Sequence, residues 1–139
     1  MVFPSIVSVV LDTNDARALA EFYRALFGLE YREGDEPPPL GEPDAKGADW
    51  LVLRNPRGGP NLAFQQVDDP LPRSTWPLNE VPQQLHLDST VPDPAELERQ
   101  RERAESLGAS LLYDRSDDAE EPLYVLADPA GHPFCIFVG

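Results

Sequence analysis

Gln83-Gln84-Leu85-His86-Leu87-Asp88-Ser89-Thr90-Val91-Pro92-Asp93 alternates in character and ends at an Asp able to cap a helix. An earlier stretch, Ser8-Val9-Val10-Leu11-Asp12-Thr13-Asn14-Asp15, has the same outline. In both, alternating positions run to an Asp seven residues on, and a helical pattern follows. His86 stands where Ser8 stands. The chain therefore reads as two copies of one unit, and His86 is where the copies differ most in chemistry.

The flanking residues extend the likeness. In the first half, Ile6 to Leu11 is rich in β-branched residues and predicts a strand, with Ile6, Ser8 and Val10 on one face. Asn14 or Asp15 caps a helix whose apolar face is Leu19, Phe22, Tyr23 and Leu26, and Gly28 ends it. Strands are expected from Leu29 to Arg32, Asp49 to Arg54 and Asn61 to Val67. Between them, 33–47 carries Pro37, Pro38, Pro39 and Pro43 and reads as a long loop, either a lid over a pocket or a mobile stretch.

The second half predicts a strand from Gln84 to Ser89. A helix follows, started by Asp93, Pro94 and Glu96 and ended by Gly108. Its apolar stripe is narrow: Leu97, Ala104 and Leu107. Three more strands follow, at Ala109 to Asp114, Pro122 to Asp128 and His132 to Val138. Asn55-Pro56-Arg57-Gly58 matches Asp128-Pro129-Ala130-Gly131, which aligns Leu62 with Cys135 and Phe64 with Phe137. A repeat of this kind is stronger than any single motif. The expected fold is α+β: two tandem βαβββ modules forming a curved mixed sheet of about eight strands around a cavity. Module one is 1–67, a proline-rich linker with Trp76 is 68–82, and module two is 83–139, all within one domain of 139 residues.

Composition narrows the function classes. Eleven Lys and Arg stand against 25 Asp and Glu, a net charge of −14, which opposes binding to nucleic acid or anionic membrane. That acidity reads either as a solvated surface or as a field that attracts a cationic ligand. No apolar run approaches the ~18–20 residues of a membrane span. No signal peptide is expected, and a single cysteine allows no internal disulfide, which fits a cytoplasmic location.

With Glu21-Phe22-Tyr23, Leu26-Phe27-Gly28, Trp76-Pro77, Gln83 to Asp88 and the terminal Asp128-Pro129-Ala130-Gly131-His132-Pro133-Phe134, the chain resembles the vicinal oxygen chelate superfamily. That superfamily contains glyoxalase I, extradiol dioxygenases and bleomycin-resistance proteins, and the small glyoxalase-like domain proteins are the nearest in pattern. The resemblance covers nearly the whole chain. It implies metal positions at Ser8 and Leu62 in one half and at His86 and Cys135 in the other. Leu62 cannot bind a metal and Ser8 is a poor ligand, so no metal set is expected. If a divalent metal does bind, His86 is its ligand. The resemblance also implies a homodimer.

The candidate site residues follow from both readings. His86 is either a polar anchor or general base facing a cavity, or a residue satisfied by hydrogen bonds. Asp88, two residues on, either orients His86 or sits in solvent. Cys135 is either a small buried hydrophobe or a nucleophile activated by His86. His132 is expected at the surface. Ser8, Phe64, Gln66, Trp76 and Phe137 complete the expected ligand contacts, with Phe64 and Phe137 on the cavity floor. Two kinds of function stay open. One is a binding or sequestering protein for an apolar or aromatic small molecule. The other is a lyase, isomerase or dioxygenase using His86, with or without a divalent metal. A fold-only interaction module is a third class.

Overall fold

The computed structural model describes residues 1–139 and forms two compact units, Met1–Leu71 and Pro72–Gly139. Each has one helix and a four-stranded mixed sheet, as the βαβββ repeat predicts.

The first unit contains β1 (Ser8–Thr13), α1 (Ala16–Phe27), β2 (Glu30–Tyr31), β3 (Trp50–Arg54) and β4 (Asn61–Gln66). Its strand order is β1-β4-β3-β2, with β1 parallel to β4 and the other pairs antiparallel. Asp15 caps α1 by accepting from the Ala18 amide. Gly28 ends it at φ 63°, a left-handed conformation that glycine adopts without steric cost. Leu19, Phe22, Tyr23 and Leu26 are buried as their spacing predicts. Tyr23 stacks on Phe64 of β4 at 6.0 Å between centroids, and Leu11, Leu51 and Leu53 complete this helix-side core.

The loop between β2 and β3 is tied down at two points. Arg17 of α1 grips Asp44 with both ends of its guanidinium, at 2.8 and 3.0 Å, and donates to the Asp35 carbonyl at 2.7 Å. This pairing raises the Arg17 pKa and lowers that of Asp44. The Asp35 side chain is 1% exposed; it accepts from the Val52 amide at 2.9 Å and pairs with Arg32. A buried carboxylate needs such partners.

The second unit contains β5 (Leu87–Val91), α2 (Pro94–Ser106), β6 (Ser110–Arg115), β7 (Leu123–Ala127) and β8 (Pro133–Val138), in the order β5-β8-β7-β6. Asp93 caps α2 by accepting from Glu96 N, with Pro94 in the first turn. Only Leu97 and Ala104 of α2 are buried. It carries the ion pairs Glu96–Arg99 and Arg101 with Glu98 and Glu105, each worth a few tenths of a kcal/mol. Phe134, Leu126 and Ile136 are buried, and the Tyr124 hydroxyl donates to Glu98 of α2 at 2.6 Å, which marks the helix side of this sheet.

Two expectations are corrected. First, β1 and β5 each start later than predicted, at Ser8 and Leu87, so His86 precedes its strand. Their parallel ladders begin opposite Asn61 and Phe134, each preceded by a proline that has no amide hydrogen to donate. Second, the turn between β3 and β4 (55–60) is one residue longer than that between β7 and β8 (128–132). A one-residue difference turns every following side chain to the other face. Phe64 and Leu62 therefore lie on the helix side, and Ala63, not Leu62, occupies the place of Cys135. The stretch 68–82, expected as the linker between the halves, is hydrogen-bonded within each unit. Asn14 holds the Val67 and Asp69 carbonyls in the first unit. In the second, Arg73 donates to the Pro129 carbonyl and Thr75 is hydrogen-bonded to Val81.

Candidate functional site

The sheet face of the second unit that turns away from α2 carries a pocket of about 280 Å³. Its geometry follows from strand alternation. His86 lies just before β5 and Asp88 within it, and their side chains meet on the same side. His86 Nε2 lies 3.3 Å from Asp88 Oδ1, with the side chains 46% and 61% exposed. In the register, Cys135 of β8 lies directly beside Asp88, and Val125 of β7 beside Cys135. Phe137 and its partner Leu123 make the next row of the same floor. Trp76 reaches over from the 72–83 segment and meets Tyr113 of β6 edge to face, at 6.1 Å and 88°. Arg115, at the end of β6, and Glu121, before β7, complete the rim.

Cys135 is 8% exposed. Burial first, then the carboxylates of Asp88 and Glu121, push its thiol up to about 11, so at neutral pH it is a protonated, weakly nucleophilic group. This favours its reading as a buried small side chain over that of a nucleophile. Arg115 pairs with Asp118 at 2.9 Å. Asp118 also accepts from the Glu121 and Glu120 amides, and these bonds with the Arg115 contact bring its carboxyl down to about 2.

Of the expected contacts, the pocket brings together Trp76, His86, Asp88, Cys135 and Phe137. It does not include Ser8, Phe64 or Gln66. Ser8 opens β1 opposite Asn61. Phe64 is fully buried against Tyr23. Gln66 holds the start of α1, accepting from Ala16 N at 2.9 Å and donating to the Asn14 carbonyl at 2.7 Å. Sequence reasoning missed Tyr113, Arg115 and Glu121. A β-bulge between Leu111 and Tyr113 resets the β6 alternation and so hid the first two. Glu121 sits in a turn with no pattern to read.

His132, expected at the surface, is 29% exposed and held by Asp128. Asp128, wholly buried, accepts from the Ala130 and His132 amides and meets His132 Nδ1 at 2.8 Å. The Asp128-to-His132 motif is thus a turn-locking device, away from the pocket.

No three His, Cys, Asp or Glu side chains gather into a group that could hold a metal ion. His86 and Asp88 are two adjacent donors, fewer than the three or four that a zinc-type site uses. These residues do not make a divalent site of the closed or catalytic kind.

The glyoxalase-like domain family model matches residues 8–137. No curated protein matches this chain. Among solved structures, a glyoxalase/bleomycin resistance protein/dioxygenase family enzyme from Burkholderia phytofirmans PsJN is similar, with a TM-score of 0.69 and 19% identity over 97% of this chain and 98% of that one. The fosfomycin resistance protein FosX from Mesorhizobium loti has a TM-score of 0.65 and 15% identity, covering 99% of this chain and 94% of that one. Lactoylglutathione lyase from Agrobacterium tumefaciens has a TM-score of 0.60 and 21% identity, covering 97% and 93%. At these identities the structures speak for the fold, and the family match spans nearly the whole sequence: the chain belongs to the glyoxalase-like domain family of the vicinal oxygen chelate superfamily.

Proposed function

We propose that this protein binds an apolar or aromatic small molecule in the pocket of its second unit, without a divalent metal, in the manner of a resistance or sequestering protein. The observation that carries this reading is the lining itself. Trp76, Tyr113, Phe137, Leu123 and Val125 offer apolar area, and His86 with Asp88 supplies the convergent polar group that small-molecule sites use for orientation. Burying a ring-sized group there contributes roughly 1.5–3 kcal/mol. A ligand oxygen at His86 adds a hydrogen bond worth about 1 kcal/mol. His86→Ala should weaken binding about tenfold, the upper part of that range. Chelator should change nothing.

The His86–Asp88 contact also favours a second reading. A carboxylate 3.3 Å from an imidazole can orient it as a general base, so a lyase, isomerase or dioxygenase remains the alternative. Stoichiometric Zn²⁺, Fe²⁺ or Ni²⁺ carried by untagged protein and lost in His86→Ala would select that reading. Fosfomycin resistance and lactoylglutathione lyase activities among the structural neighbours span the two readings. A homodimer of cytoplasmic location is proposed with the family; light scattering at micromolar concentration tests the dimer. No helix is long and apolar enough to cross a membrane.

A further inference from the structure

The charges around the pocket narrow the ligand class, given the reading that this pocket binds a small molecule. Trp76 and Tyr113 meet edge to face at 88° and form an aromatic corner in the pocket lining, to which Phe137 adds a third ring. Ring faces attract cations, and such corners suit alkylated ammonium groups whose charge is spread and weakly hydrated.

The ionic groups agree in sign. Asp88 and Glu121 both line the pocket. Glu121 lies in the field of Arg115, whose close partner is Asp118, and the partner of Asp88 is an imidazole that carries charge only when protonated. The one cation of the rim, Arg115, is taken by Asp118 at 2.9 Å. The thiol on the floor feels the same field, since Asp88 and Glu121 rank next after burial among the influences that push it up, and Arg115 opposes them last. An aromatic ligand that carries a positive charge gains attraction from these carboxylates that a neutral one does not, and an anion would be repelled. The net charge of −14 draws cations toward the whole surface.

We infer that the pocket selects an organic cation, an aryl- or alkylammonium group seated among Trp76, Tyr113 and Phe137 with Asp88 and Glu121 beside it.

Calorimetric titration of the full chain with three probes of similar size tests this: phenyltrimethylammonium, its uncharged carbon analogue tert-butylbenzene, and benzenesulfonate. The ammonium should bind at least about tenfold more tightly than tert-butylbenzene, and the sulfonate more weakly than either. A double variant, Asp88→Asn with Glu121→Gln, should remove that preference, bringing phenyltrimethylammonium and tert-butylbenzene to similar affinity. Both side chains are exposed, so the fold should survive, and circular dichroism checks that it does. Trp76→Ala should weaken both the ammonium and tert-butylbenzene. Equal or tighter binding of tert-butylbenzene or benzenesulfonate would overturn the cation inference while leaving the pocket reading intact. Binding of none of the three would overturn both.

Discussion

Two rows of side chains, one in each unit, occupy the same place in the βαβββ plan. In the first unit, Val10, Ala63 and Val52 lie side by side across β1, β4 and β3. In the second, Asp88, Cys135 and Val125 lie across β5, β8 and β7. The backbone is shared and the chemistry is not. The first row offers nothing that could bind a polar group, whereas the second puts a carboxylate and a thiol beside His86. The polar investment of the first unit lies elsewhere: Arg17, Asp44, Asp35 and Arg32 fasten the loop before β3. A repeat therefore fixes where a site can be without requiring that both copies build one.

The comparison is tested hardest by aromatic truncation. Phe64→Ala removes a fully buried ring from the helix side and should cost about 3–5 kcal/mol in denaturant unfolding. Phe137→Ala trims the pocket floor and should cost less stability while reducing ligand binding. Equal stability losses would mean that the two rings share an environment after all. Next in size, Cys135 with its thiol at about 11, against an ordinary 9.0, should alkylate roughly 100-fold more slowly at pH 7 than an unperturbed cysteine. Its rate should climb as pH nears 11. Ordinary reactivity at neutral pH would restore the nucleophile reading.

Arg17→Ala sharpens the contrast from the other side. Losing the Asp44 and Asp35 contacts should cost about 1.5 kcal/mol and raise amide exchange across 33–49, with the second unit unaffected. The smallest expected effect is a pH dependence in the β6–β7 turn. The folded-state pKa of Asp118 is about 2, below the ordinary 3.8. Its contribution to stability is therefore present in full above 3.8 and lost as pH falls toward 2. Asp118→Asn should flatten the acid limb of the stability curve in that window.

The helices were legible because single residues mark their ends: Asp15 and Gly28 for α1, Asp93 and Pro94 for α2. The strands and their order followed from the repeat. Side-chain facing in β4 did not, because one extra residue in the 55–60 turn breaks the alignment that its Asn-Pro and Gly residues suggest. Half of the pocket was readable because Asp88, Cys135 and Phe137 lie on two adjacent strands with regular alternation and His86 comes just before the first of them. The rest depends on a bulge, a turn and the fold of 72–83, which are tertiary features without a periodic trace.

The most direct test of the pocket reading is an amide and side-chain NMR titration of the full chain with phenyltrimethylammonium, run with and without chelator. Shifts concentrated at Trp76, Tyr113, Cys135 and Phe137, unchanged by chelator and weakened in Trp76→Ala, are the predicted result. Shifts centred on Val10, Val52 and Ala63, or binding that chelator abolishes, would contradict it.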